Sequence, residues 1–569
     1  MKPDSNRAWL LRGYSPAVLI LVPFLLAMVV PPLIYLVMAS LHETNIDGSL
    51  GDFTLDNYTS LVGGARFWRH FLNTTLYSLG SAALALAIGG AQAWIVERTN
   101  TPLRGLVLGV AVVALGIPSV LFTISLLLIF GKAGPVNHML MALTGSPEAI
   151  VDIYSLGGMI LVEGIEFSPL CFLLLSSVFR NNDAALEEAA TMSGAGVAAT
   201  MWRVTMRLAM PGVLALLILT FIRAFESFET PALVGRPGRV DVLTMDVFSS
   251  MQTSPPDYGE AGAFSMVLLV VVAALLYAYG WTARNAAKYQ TVSGKGFRPR
   301  VIDLGKWRFF TAALLVAIFA MTIALPLAIL LWVSFQPYYE GVSVAALQLA
   351  TTKHYSTVLR GEAFREAIFN TIILGLSAAA IVASLTALCA WLVVRRYKGA
   401  WILDYLCSAP LVFPAIVMAV AMLEIFLNQP LPLYGTLTSI VIASAIHYLP
   451  YGMRYSYAGI LQIHRELEEA AAMAGARQAT IFLRVVVPLV APALIACGLF
   501  VFLIAVKAVS IPILLSGAKS RVVAVALFDM WQNGLFGEVS AIGVIWTGFM
   551  TLVSLSFFYL LRRLGMAMR

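Results

Sequence analysis

The sequence predicts an all-α polytopic membrane protein of about twelve spanning helices, arranged as two parallel repeats of six. Three observations carry that prediction. Sixty per cent of the 569 residues are hydrophobic and only 12% are charged, too little polar surface for a soluble chain of this length. The apolar residues fall in continuous runs of about 20 or more, the length an α-helix needs to cross the hydrocarbon while satisfying its own backbone hydrogen bonds. One polar string also occurs twice, 281 residues apart: Glu187-Glu188-Ala189-Ala190-Thr191-Met192-Ser193-Gly194 and Glu468-Glu469-Ala470-Ala471-Ala472-Met473-Ala474-Gly475.

The twelve runs cover residues 16–40, 70–94, 105–131, 156–179, 211–232 and 262–282 in the first half. In the second they cover 309–335, 367–393, 402–427, 437–460, 489–514 and 539–561. Their unbroken apolarity excludes a β-barrel, whose strands alternate and are only about 10 residues long. The first run follows Lys2, Arg7 and Arg12, as a signal peptide would, but it is long and contains Pro31-Pro32. It therefore reads as an uncleaved first span. With the N-terminus on the cytosolic side, 24 of the 37 Lys and Arg residues fall in inner segments and 10 in outer ones, as the positive-inside rule requires. Both termini are then cytoplasmic, in a multi-pass membrane protein.

The densest basic stretch, Arg284 through Arg308, lies between spans six and seven. It reads as a cytosolic linker held near anionic lipid, and no nucleic-acid partner is implied. The repeats then run from 1 to 283 and from 309 to 569, with the linker at 284–308. Cys171, Cys389, Cys407 and Cys497 all sit within spans and lack metal-ligand spacing, so they read as small packing residues.

An offset of 281 superimposes the two strings and also Pro169 on Pro450, Pro211 on Pro492 and Pro231 on Pro512. An offset of 297 pairs Asn73-Thr74 with Asn370-Thr371 and Trp94 with Trp391. Six spans per half is an even number, so both halves enter from the same side and form a parallel repeat about an axis along the membrane normal. Both strings precede the fifth span of their half, in the inner loops 181–210 and 461–488. Glu and Ala favour helix and the following Gly ends it, so each loop is expected to be a short helix, a Gly bend and a second short helix.

At these residues the chain resembles the permease subunits of type I ATP-binding-cassette importers, whose signature is Glu-Ala-Ala, three residues, Gly, then a Pro-containing entry into a span. The resemblance implies that the loops are coupling helices seated in grooves of ATPase subunits, with docking roles for Glu188, Ala189, Ala190 and Gly194 and for Glu469, Ala470, Ala471 and Gly475. The second copy matches through Phe482, Pro488 and Pro492. The first has Met201 and Arg207 at the first two of those positions, so its exit into the fifth span is expected to bend differently. More narrowly, the segments Phe225 to Gly235 and Pro255 to Gly259 are similar to the fused permeases of ferric-iron importers, within a group that includes thiamine and 2-aminoethylphosphonate carriers. The implied partners are two copies of a cytosolic ATPase, which carry the ATP and Mg, and a periplasmic or extracellular substrate-binding protein.

No Gly-x-x-x-x-Gly-Lys-Ser/Thr phosphate loop is present, and no catalytic constellation is recognisable, so the chain reads as a transport subunit with neither ATPase site nor cofactor of its own. Ionisable residues inside spans mark the expected route, because each costs roughly 2.5 to 3.5 kcal/mol at a span centre. The candidates are Glu166, Arg223, Glu226, Glu229, His447 and Lys507, with Glu163 beside them. Arg223, Glu226 and Glu229 are spaced by three and are expected to share one helix face; the competing reading is an Arg223–Glu226 pair that locks helices together. Glu424, near the outer end of span nine, is expected to be interfacial. The outer loops 41–69, 233–261, 336–366 and 515–538 are the expected surface for the binding protein. A secondary transporter of six plus six spans would share the buried charges, but would have no reason to repeat a Glu-Ala-Ala-x-x-x-Gly loop.

Overall fold

A computed structural model describes residues 15–45, 49–180, 184–287, 301–339, 341–428 and 433–563. In the first half the principal helices are α1 (Pro16–Ser40), α2 (Ala65–Arg98), α3 (Arg104–Gly116), α4 (Ser119–Phe130), α5 (Leu156–Arg180), α6 (Ala184–Met192), α7 (Val197–Thr200), α8 (Met206–Phe225), α9 (Leu243–Met251) and α10 (Tyr258–Ala287). The second half follows with α11 (Trp307–Phe319), α12 (Leu325–Ser334), α13 (Glu362–Val394), α14 (Ala400–Ser408), α15 (Ala415–Asn428), α16 (Leu437–Leu461), α17 (Glu466–Met473), α18 (Gln478–Ile481), α19 (Val487–Lys507), α20 (Val523–Gln532) and α21 (Phe536–Arg563). A short antiparallel hairpin, His42–Thr44 with Leu50–Phe53, was not foreseen from the apolar pattern.

Among the described residues ten helices are long and apolar enough to cross a membrane, and a bent pair makes an eleventh. The tenth expected span, 437–460, is the 25-residue helix α16, in which His447, Pro450 and Arg454 interrupt the apolar run. The third expected span of each half is cut by a proline. Ile117 (φ −75°, ψ 128°) and Phe413 (φ −86°, ψ 113°) are extended, because the ring of the following Pro118 or Pro414 disfavours helix at the preceding residue. In the second half the two pieces meet at 106°.

The repeat is legible in the packing. Within each half the second span lies against the fourth and fifth: α2 against α5 and α8, α13 against α16 and α19. At the crossing of α2 with α5, Gly89 lets the backbones close; a Cβ there would stand 2.6 Å from Ser168 O and 2.7 Å from the Cys171 Cβ. The second half makes the same crossing with the small residue on the other partner, Gly452 of α16 against Thr386 of α13. Asn73 and Asn370 also act alike. The Asn73 amide donates to Asp241 O, and the Asn370 amide donates to Lys519 O and Arg521 O, while Thr74 and Thr371 accept from the backbone N–H of Leu243 and Val523. Each dyad pins the start of the short helix before the last span.

The halves embrace each other. α1 lies on α14 and α15 of the other half, and α12 on α4; α9 meets α15, and α20 meets α4. Where repeat-equivalent residues touch, the pseudo-two-fold axis must pass, and Ser510 Oγ donates to Glu229 Oε1 at 3.3 Å across a separation of 281 residues. Of the basic linker, 288–300 lie outside the described residues. Its last residues are fastened to the inner end of α2: Ile302 pairs with Thr99, and the Asn100 amide donates to Asp303 Oδ1 at 2.6 Å. Together with the Gly305 N–H, that bond holds the Asp303 carboxyl below its usual range.

Candidate functional site

The repeated loops fold alike. Gly194 (φ +82°) separates α6 from α7 and Gly475 (φ +85°) separates α17 from α18, in the left-handed region that glycine enters without penalty. Ala195 N–H donates to Ala190 O and Ala476 N–H to Ala471 O, both at 3.0 Å. This six-to-one bond satisfies a carbonyl that the helix end leaves free. Each loop then enters its span through a five-residue π turn, Met201–Thr205 and Phe482–Val486. The expected difference in exit is absent, because the widened turn is complete before position 207 or 488 is reached. What Phe482 adds is a ring contact with Trp391, 5.2 Å between centroids.

Each loop hangs on a buried ion pair that sequence reasoning missed. Arg98, wholly buried at the inner end of α2, donates Nη1 to Glu187 Oε2 at 3.2 Å and Nη2 to Phe179 O at 2.7 Å; Thr205 Oγ1 donates to the other Glu187 oxygen at 2.7 Å. In the second half Arg395 donates Nε to Glu468 Oε1 at 2.7 Å and Nη2 to Ile463 O at 3.1 Å, and the Trp391 indole donates to Glu468 Oε2. The signal was available: Arg98 and Arg395 stand at the same offset as Trp94 and Trp391.

Pairing the first glutamate of each string inward turns the rest of the loop outward. Glu469 is exposed and bonds Arg465 one turn away at 2.9 Å, Ala189 and Ala470 are exposed, and Ala190 and Ala471 are half-buried; Glu188 lies in α6. Beside them, Leu186 and Met192 are 45% and 90% exposed, and their equivalents Leu467 and Met473 are 49% and 90% exposed. An apolar face presented twice, with matching residues, is a surface built to be covered.

The intramembrane candidates gather where the fifth spans end. α8 stops at Phe225, Glu226 caps it and Pro231 opens a new turn. Glu229 therefore lies beyond the break, and the expected shared face with Arg223 and Glu226 is not formed. α19 stops equivalently at Lys507. A cation in the last turn suits the negative end of a helix, which Lys507 and Arg223 both exploit, whereas Glu226 is tolerated there through its 2.7 Å bond from Arg223. Arg223 is deep in the molecule yet 44% accessible, so it lines an internal opening, with Tyr448 and Tyr451 of α16 within electrostatic reach. Lys507, Glu229 and Arg223 all bear on Glu166, whose Oε2 meets no partner among the described residues. Glu163 is buried beside Tyr77, Ser227 and Thr230. His447, equivalent to Glu166, is buried against Tyr448, and its Nδ1 likewise lacks a partner among the described residues. Glu424 is not interfacial: it is 3% exposed, because α1, α9, α10 and α16 close around α15. No group of three or more metal-ligating side chains occurs among the described residues.

Two interlocked six-helix repeats, a charged break at their axis and twin loops on one face define a polytopic membrane protein of duplicated design. The chain belongs to the family of binding-protein-dependent transport system inner membrane components, whose pattern matches residues 84–288 and again 375–569. A ferric transport system permease protein, FbpB, of Actinobacillus pleuropneumoniae is 26% identical over 74% of this chain and 60% of its own length. A second FbpB of Haemophilus influenzae is 28% identical over 69% of this chain and 62% of its own. The chain thus spans about six-tenths of the length of these relatives. A protein named as the PhnU permease of a 2-aminoethylphosphonate transport system in Salmonella choleraesuis is 28% identical, with 91% of its length matching 46% of this chain.

Proposed function

We propose that the chain forms the translocation pathway of a binding-protein-dependent ATP-binding-cassette importer, with the twin loops docked on two copies of a separate cytosolic ATPase. The single observation that carries this reading is the matched pair of loops: same glycine conformation, same buried Arg–Glu fastening, same exposed Leu and Met. Near-identical handles call for near-identical grooves, so the ATPase is a homodimer. ATP closes that dimer, the loops move with it, and because each loop is bolted to the second span of its half, the halves rock between inward-facing and outward-facing states.

The proposed cargo is ferric iron, drawn from the FbpB relatives and from the segments Phe225–Gly235 and Pro255–Gly259; 2-aminoethylphosphonate and thiamine are the alternatives. Glu166, Glu226 and Glu229 suit a cation, and Arg223 and Lys507 suit an anionic or zwitterionic group. The binding protein makes the selective contact in this scheme, on the outer loops. The orientation follows from the Lys and Arg asymmetry, with both termini cytoplasmic. Reconstitution tests the reading: the chain should co-purify with an ATPase, and uptake of the ligand held by its binding protein should require ATP. Uptake driven by an ion gradient without any ATPase would overturn it, and the ligand found in the binding protein decides the cargo.

A further inference from the structure

On the face that the charge distribution assigns to the outside, the two halves differ in the charge they place beside the start of the second span. In the first half Arg66 of α2 bonds Asp246 of α9 at 2.7 Å and reaches Glu260 at 3.4 Å, while His70 Nδ1 lies 2.8 Å from the same aspartate. The Asn73/Asn370 and Thr74/Thr371 anchors fix the register of both elements, so the equivalents of Arg66, His70 and Asp246 are Ala363, Ala367 and Ala526. Three alanines stand where the first half has a compact charged trio. There the second half has an open cavity of about 150 Å³, lined by these alanines together with Glu366, Arg521 and Asp529.

Its size and charge define an occupant. Pockets for drug-sized ligands run from about 300 to 1,000 Å³; this one accommodates a single long side chain. Arg521 lies 3.3 Å from Asp529, and Glu366 is exposed and forms no ion pair among the described residues. Two carboxylates thus face one guanidinium. Burial holds the Asp529 carboxyl above its ordinary range, and Arg521 opposes that shift.

We propose that this cavity is a socket for an arginine or lysine side chain of the soluble substrate-binding protein, which supplies from outside the cation that Arg66 supplies from within the first half. The inference rests on the importer reading above. It also gives the asymmetry a purpose. A single binding protein has two ways to sit on a nearly two-fold surface, and a socket present in one half selects one of them.

The test fills the socket with the chain's own trio: Ala363→Arg, Ala367→His and Ala526→Asp together, in the permease–ATPase complex held in lipid nanodiscs. Affinity for the purified, substrate-loaded binding protein should fall on the order of ten-fold or more, and co-purification of the ATPase reports folding. Glu366→Gln with Asp529→Asn, which adds no bulk, should weaken docking in the same direction and flatten its salt dependence; it decides the matter if the triple variant does not fold. Unchanged affinity in the variants overturns the socket while leaving the importer reading intact. A wild-type complex that neither binds a binding protein nor imports overturns the importer reading, and the socket with it.

Discussion

The two adjacent glutamates of the second loop meet opposite fates. Glu187 and Glu468 are buried and bonded to Arg98 and Arg395, while Glu469 is exposed and bonded to the half-buried Arg465, and a pair open to solvent on one side contributes about 0 to 1 kcal/mol. Removing one member of a buried pair strands the other charge, at about 3 to 5 kcal/mol. Glu468→Ala is therefore expected to lower thermal stability clearly, and Glu469→Ala to leave the melting temperature nearly unchanged while loosening ATPase docking. Differential scanning fluorimetry of the purified protein checks the first, and equal melting of both variants would show that the pair does not hold the loop. A converse variant, Arg395→Met with Glu468→Leu, should recover much of the stability, since apolar replacements of a buried pair are often neutral or better. It should not recover ATP-dependent uptake, because the hydrogen bond from Arg395 to Ile463 O that orients the loop is lost.

At the level of elements, the Gly475 turn tests the same idea by a different route. Its φ of +85° costs a β-branched residue roughly 1 to 2 kcal/mol or more, and a Cβ there would meet nothing within 4 Å, so the penalty is purely conformational. Gly475→Val should re-aim α18, leave the spans intact, and separate ATP hydrolysis from uptake; preserved coupling would count against the loop as the transmitting element. Gly89→Val is the opposite case, a backbone-to-backbone crossing with no room, and should reduce the yield of folded protein outright, with a smaller loss for Gly89→Ala. How far such features were legible follows from their physics. Span positions and the loop helices come from apolar runs, Ala and Glu propensity and a terminal Gly, all local. The register of the repeat was readable because Pro, Asn-Thr and Trp recur at fixed offsets. The break after Glu226 was misread because spacing by three looks helical until the turn at Glu226 and the irregular Ser227 and Phe228 are placed. Glu424 was misread because burial by α1, α9, α10 and α16 is a matter of packing between distant segments, which no local pattern records.

Over the whole molecule, the reciprocal embrace of the halves, α1 on α14 and α15 and α12 on α4, means that neither half rocks alone. The axis runs by Glu229 and Ser510, and the charges around it come in equivalent but opposite positions: Glu226 in one half, Lys507 in the other. Carriers of a cation and of an anion respond oppositely when one sign is removed from such a site, because the local potential there sets the concentration of the passing charge. Glu226→Gln leaves the 44% accessible Arg223 without its counter-charge and makes the opening more positive. For a cationic cargo such as ferric iron, uptake should then fall several-fold with ATPase assembly intact, while Lys507→Gln should preserve or raise it. For an anionic phosphonate the two variants should exchange effects. Initial uptake rates in proteoliposomes, measured for both variants at saturating binding protein, separate these outcomes; rates unchanged in both would leave Arg223 and Glu226 as a pair that only neutralises the end of α8.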